Sequence, residues 1–91
     1  MVLVRKNSQE MNDTFDEAKK SMEVNVEEGQ TFMVRDLFIG AIWNRINKYD
    51  RIELGKRFYQ YSIKQGSSLM EPTEKTSQNQ QKYEKKVQIK N

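Results

Sequence analysis

The side chains best suited to chemistry lie on one ridge of a predicted helix in the second half of the chain. Lys56, Gln60 and Lys64 recur every four residues, which puts them on one face of a helix that we expect over residues 50–65. Cations on such a face can bind phosphates and guanine edges, and an amide can bind adenine. The ridge is therefore typical of a helix that reads the major groove of DNA, although an ordinary solvated helix face has the same composition.

Basic side chains are concentrated in the last third of the chain. Residues 56–91 carry eight basic and three acidic side chains, a net +5, whereas residues 1–31 carry four basic and seven acidic ones, a net −3. Contact with a phosphate backbone requires such a basic region, and a solubilising tail has the same charge. The residues predicted to contact DNA are Arg51, Lys56, Arg57, Gln60, Lys64, Lys75, Ser77, Asn79, Lys82 and Lys85.

The residue types that are missing exclude most catalytic chemistry. The chain of 91 residues contains no cysteine and no histidine, which removes disulfides, thiol nucleophiles and imidazole bases. Its Asp and Glu residues cluster near predicted helix starts, where capping explains them, and no glycine-rich phosphate loop occurs. We therefore expect a protein that is not an enzyme, with no catalytic residue, no metal and no cofactor.

The composition also bounds the size of the core and the location of the protein. Hydrophobic residues make up 35% of the chain and charged residues 32%, so we expect one compact segment of about 50–60 residues with polar ends. No apolar run approaches the ~20 residues that a membrane helix needs, and the start of the chain lacks the pattern of a signal peptide. The expected location is the cytoplasm of a bacterium, without a membrane partner.

The N-terminal part is predicted to contain one amphipathic helix. We expect residues 1–13 to form a flexible lead-in and residues 14–29 to form the helix and a linker, with Thr14 and Glu17 as a capping box. An apolar stripe at helical spacing would pack on the rest of the chain or on a second copy, and we expect a possible homodimer contact there. The stripe consists of Met11, Phe15, Ala18 and Met22.

The ridge helix needs a domain to position it, and we expect that domain over residues 30–89. Its predicted order begins with a short strand at residues 31–34 and a helix from Asp36 that Gly40 weakens or splits. The ridge helix follows and is expected to begin at Asp50. The aromatic residues expected in the core are Phe38, Trp43 and Phe58.

Two strand-like segments follow the ridge helix. Residues 67–71 and 83–89 can pair as a hairpin around a polar loop at residues 73–81, and the composition of that loop also fits disorder. With the hairpin ordered, the sequence predicts an α+β fold that is mainly α. It would be a winged helix-turn-helix with a short β-strand, a C-terminal β-hairpin wing and an extra N-terminal helix.

Four short motifs carry a resemblance to known proteins. They are Phe32-x-Val34-x-Asp36-Leu37-Phe38-x-Gly40, Trp43, Arg51-x-x-Leu54-Gly55-x-x-Phe58, and Thr76-Ser77-x-Asn79-x-Gln81-x-Tyr83. The set resembles a poorly characterised family of small winged-helix-like proteins from Gram-positive bacteria and their mobile elements. The resemblance covers about residues 30–86 and implies a fold together with DNA binding or transcriptional control. It brings no catalytic residues.

Two functions are compatible with these patterns. The first is a small DNA-binding protein, a transcriptional regulator or mobile-element accessory factor, that reads duplex DNA with helix 50–65 and a basic wing. The alternative is a protein-interaction adaptor that uses the winged-helix-like core and the N-terminal helix without binding nucleic acid. A platform that stacks single-stranded bases is disfavoured, because the chain lacks the strand pattern of a five-stranded barrel.

Overall fold

The computed structural model describes residues 4–88 and contains both helices and strands. Over that range the three strands form one antiparallel sheet in the order β1-β3-β2. The predicted α+β class is confirmed, whereas residues 1–3 of the expected lead-in and the expected domain end at Ile89 lie outside the described residues. The elements are α1 (Ser8–Asn25), β1 (Thr31–Phe32), a 3-10 helix (Val34–Leu37), α2 (Gly40–Trp43), α3 (Lys48–Ile63), β2 (Met70–Lys75) and β3 (Gln81–Lys85).

Helix α1 begins earlier than the sequence predicted. The Asn7 side chain accepts a hydrogen bond from the Glu10 backbone N–H at 2.9 Å, and the Glu10 carboxylate accepts one from the Asn7 N–H at 3.0 Å. This reciprocal capping box starts the helix at Ser8. The predicted start at Thr14 is therefore wrong, because Thr14 lies inside the helix and its hydroxyl donates to the Glu10 carbonyl.

The apolar stripe of α1 belongs to the core of the same chain. Met11, Ala18 and Met22 are buried, and Phe15 is half-buried with its ring edge-on to Tyr61 of α3. The helix thus shares one core with the segments that follow it, and it is not a separate N-terminal element. These side chains are not exposed for the homodimer contact that the sequence suggested for them.

Three aromatic side chains from distant segments meet at the centre of this core. Phe32 of β1 stacks on Tyr83 of β3 at 5.6 Å, and Phe58 of α3 meets the Tyr83 ring edge-on at 5.1 Å. Such pairs add about 0.5–1.5 kcal/mol each beyond the area that they bury. Of the aromatic residues predicted for the core, Phe58 is fully buried, whereas Phe38 and Trp43 are half-buried.

The middle of the chain divides at Gly40 as the sequence indicated. A 3-10 helix ends before Gly40 and the one-turn helix α2 begins there. Helix α3 starts at Lys48, because the Asn47 side chain accepts from the Tyr49 N–H at 2.8 Å and caps the helix. The predicted start at Asp50 is wrong, since Asp50 lies in the first turn and its side chain is buried.

The last two strands form a hairpin with a shorter loop than predicted. Strands β2 and β3 leave only residues 76–80 between them. The strand β2 accommodates Pro72 because it lies at the edge of the sheet, and a register shift follows Pro72 before Lys75. Asn79 closes the turn with a φ of 64°, a left-handed conformation that Asn tolerates better than most residues.

Within residues 4–88, no helix combines the length and apolar composition needed to cross a membrane.

Candidate nucleic-acid interface

A groove with a volume of about 750 Å³ runs between α3 and the hairpin. One wall is the side of α3, another is the hairpin near its turn, and the 3-10 helix contributes Val34 and Arg35 to the lining. Four of its lining residues are basic and, within the described chain, none is Asp or Glu. The lining residues are Met33, Val34, Arg35, Trp43, Arg51, Ile52, Gly55, Lys56, Tyr59, Gln60, Lys75, Asn79, Gln80, Gln81 and Tyr83.

The guanidinium of Arg51 is fixed within this groove by an aromatic ring. It lies 5.1 Å from the centroid of Trp43, and Nη2 donates to the Trp43 carbonyl at 3.0 Å. Phe38 stacks with the same indole ring at 5.8 Å. Arg51 Nε is buried and has no hydrogen-bond partner in the described part of the chain. Arg51 is therefore a preorganised positive charge, held in place before any ligand arrives.

The structure brings half of the predicted DNA-contact residues to the groove. Those that line it are Arg51, Lys56, Gln60, Lys75 and Asn79. Sequence reasoning missed Arg35, which follows β1 by only a few residues and reaches the groove because β1 pairs with β3. Gln80 and Gln81 also line the groove, although the sequence prediction did not include them among the DNA-contact residues.

Two other predicted contact residues are exposed but do not line the groove. Lys64 is the C-cap of α3 and has φ −121° and ψ −102°, so the chain leaves the helix before it. The predicted ridge of three residues is therefore reduced to Lys56 and Gln60. Ser77 is exposed in the hairpin turn.

Arg57 and Lys82 have partners within the chain. Arg57 Nη1 donates to the Asn12 side chain of α1 at 2.8 Å, and Nη2 lies 3.5 Å from Glu53. This arginine joins α3 to α1 on the side away from the groove. Lys82 lies on the hairpin and forms an ion pair of 3.8 Å with Glu74, which partly neutralises its charge.

Lys85 has a structural role in place of the predicted DNA contact. Its ammonium group donates to the carbonyls of Met22, Glu23 and Val26 at 3.3, 2.9 and 2.7 Å. These carbonyls belong to the last turn of α1 and its C-cap, where carbonyls lack partners within the helix and the dipole favours a positive charge. Lys85 therefore caps α1 and lies outside the candidate interface.

The floor of the groove remains uncharged. Tyr83 is buried, and burial raises the pKa of its hydroxyl well above the ordinary value; the neighbouring Tyr59 raises this pKa further. The tyrosine stays neutral in neutral and mildly alkaline solution, so it does not offset the four cations. Nor do residues 4–88 contain a cluster of three or more carboxylates that could hold a metal ion.

A family model covers the segment that builds this groove. The model described as Domain of unknown function (DUF1413) matches residues 16–85. The chain belongs to the DUF1413 family. The DUF1413 match spans all residues that line the groove, from Met33 to Tyr83, and it leaves the start of α1 and residues 4–7 outside. No curated protein and no solved structure matches the chain.

Proposed function

We propose that this DUF1413 protein is a winged helix that binds duplex DNA. The order of helix, strand, two helices and hairpin supports this fold, as does a sheet in which the first strand pairs with the last. In this proposal α3 is the helix that enters the major groove and the hairpin is the wing. The protein acts as a transcriptional regulator or as an accessory factor of a mobile element.

The main support for the proposal is the positive charge of the groove beside α3. The four cations Arg35, Arg51, Lys56 and Lys75 line it without a carboxylate among the lining residues. Like charges brought close together repel each other, and an anion between them relieves that repulsion. A phosphodiester backbone is an anion with the length to fill an open groove of this kind.

The remaining lining residues supply contacts suited to bases and sugars. Gln60 is exposed on α3, where its amide can bind the edge of adenine. Ile52 is 49% exposed on the same helix and can contact the methyl group of thymine. Asn79 and Gln80 project from the wing turn, where amides can bind sugar and phosphate oxygens.

Titration of a duplex at several salt concentrations tests this proposal. We expect the logarithm of the association constant to fall linearly with the logarithm of salt, by about 0.9 for each phosphate neutralised. Lys56→Ala should reduce that slope by about 0.9 because it removes one groove cation. Lys20→Ala is the matched control, since it removes an exposed lysine from α1, away from the groove. Absence of binding at low salt would overturn the proposal.

A second candidate function is a protein-interaction adaptor, and one surface supports it. Val24 of α1 and Ile39 before α2 are both 71% exposed, and Ile42 is 40% exposed. They surround a shallow cavity of about 250 Å³ between α1 and the 3-10 helix, separate from the basic groove. Exposed apolar side chains in a cluster mark many protein-interaction sites.

In-cell cross-linking would test the adaptor. We expect a defined cross-linked partner that is lost with Ile39→Glu and retained with Lys56→Ala, since only the first change alters the apolar surface. Cross-linking that is equal in all three proteins would argue against this function.

A further inference from the structure

Residues 4–7, here called the basic arm, are tied to the beginning of α3. The Lys6 backbone N–H donates to Asp50 Oδ2 at 2.8 Å, and Arg5 Nε lies 3.4 Å from Asp50 Oδ1. Asp50 is only 1% exposed. A buried carboxyl group requires hydrogen-bond partners, and the basic arm supplies two of them. The arm is thus held at a fixed place on α3, and Asp50 is the residue that holds it.

The Arg5 guanidinium shares its charge with Asp50 in an ion pair, but it also remains open to solvent. The Arg5 side chain is 58% exposed, and its guanidinium lies 5.7 Å from the ring centroid of Tyr49, which is itself exposed. The contact of Lys6 with Asp50 uses the backbone N–H, so its ammonium group is not consumed by it.

The basic arm and the groove lie on opposite flanks of α3. Arg57 bonds to α1 and Tyr61 packs against Phe15 of α1, so this flank of α3 faces the helix that follows the basic arm. Arg51 and Tyr59 line the groove on the other flank. Between them lies the outward strip of α3, which includes Lys56. The exposed face of α3 therefore has cations on both sides.

We propose that the basic arm binds the second phosphate backbone of the duplex that α3 enters. An α-helix with its side chains is about 10–12 Å wide, close to the ~12 Å width of the major groove, so both DNA strands border an inserted helix. The groove cations contact one strand, and Arg5 and Lys6 contact the other. This inference rests on the proposed function, because it needs α3 to lie in the major groove.

The salt dependence of duplex binding, compared between the unaltered protein and variants of the basic arm, measures the contribution of the arm. Lys6→Ala removes one phosphate contact and leaves the backbone bond to Asp50 in place. We expect the plot of log association constant against log salt to be shallower by about 0.9 for this variant. The ratio of association constants, unaltered protein over variant, should therefore shrink about 3.5-fold when salt rises from roughly 50 to 200 mM. Arg5→Lys keeps the charge and should retain the slope, whereas Arg5→Ala should lower it. Thermal unfolding of each variant shows whether the fold survives.

The comparison with Lys56→Ala and Lys20→Ala separates the two proposals. Reduced slopes for Lys6→Ala, Arg5→Ala and Lys56→Ala, with Lys20→Ala unchanged, support the second backbone contact. A reduced slope for Lys56→Ala alone overturns the basic-arm contact and leaves the proposed function standing. If the unaltered protein does not bind duplex at low salt, the proposed function fails and the basic-arm contact fails with it.

Discussion

The two ends of the hairpin formed by β2 and β3 contain similar lysines that have different roles. Near the turn, Lys75 lines the groove, and no carboxylate is present among the other lining residues. At the base of the hairpin, Lys85 donates to three carbonyls at the end of α1. In the proposed complex the first lysine binds DNA, whereas the second uses its charge to hold the fold together. Basic composition alone therefore overstates the size of a binding surface.

The largest expected effect in this comparison is on stability at the base of the hairpin. Lys85→Ala leaves the carbonyls of Met22, Glu23 and Val26 without their donor, so we expect a loss of about 1–3 kcal/mol in the free energy of unfolding. Urea denaturation measures this loss. The salt slope of duplex binding should stay unchanged, and a lower slope with unchanged stability would move Lys85 into the interface.

The next effect concerns Tyr83, which belongs both to the core and to the groove. Burial raises the pKa of its hydroxyl in the folded state, so at alkaline pH the unfolded chain loses this proton first. The contribution of Tyr83 to the free energy of unfolding should be constant below the ordinary tyrosine pKa of ~10. Above that pH it should decline, by about 1.4 kcal/mol at pH 11. Urea denaturation between roughly pH 9 and 11 tests this, and Tyr83→Phe should remove this part of the decline. An identical alkaline decline in both proteins would contradict the assignment.

A smaller effect is expected at the turn of the hairpin, where the backbone conformation of Asn79 and its contact with DNA can be tested separately. Asn79 has a φ of 64°, so Asn79→Ala should lower the free energy of unfolding by about 1 kcal/mol. Asn79→Gly tolerates this φ and should preserve stability while removing the amide from the groove. Thermal unfolding and duplex titration of both variants measure the two effects. Equal duplex affinity for Asn79→Gly and the unaltered protein would exclude Asn79 from the contact.

The smallest expected change in stability is at the groove end of the hairpin. Lys75 is exposed, so Lys75→Ala should change the free energy of unfolding by less than about 0.5 kcal/mol. The same substitution should lower the salt slope of duplex binding by about 0.9. Lys75→Ala should therefore weaken binding with little effect on stability, whereas Lys85→Ala should lower stability without changing the salt slope. Similar behaviour of the two variants would remove the distinction between the two ends.

Local patterns predicted the order of most elements. The division of the middle segment at Gly40 followed from the weak helix propensity of glycine, and the helix around Leu54 and Phe58 followed from apolar spacing. The capping pattern was ambiguous, because Asn7 with Glu10 and Thr14 with Glu17 have the same spacing. Met11 is buried in the core, and this burial favours the longer helix that begins at the earlier cap.

The roles of individual cations could not be predicted from local patterns. The hydrogen bond between Lys85 and Met22 joins residues 63 positions apart in the sequence, and the one between Arg57 and Asn12 joins residues 45 positions apart. Arg35 joins the groove because β1 pairs with β3, and a pairing between such distant strands has no signal in one sequence. Sequence patterns located the basic region, whereas long-range contacts decided which charges remain available to a ligand.

The salt dependence of duplex binding by the unaltered protein tests the central claim most directly. If each of the four groove cations neutralises one phosphate, the plot of log association constant against log salt should have a slope of about −3.6, and the basic arm should make it steeper. A linear decline with at least this slope is the predicted result. No detectable binding at low salt, or binding that does not depend on salt, would contradict the account.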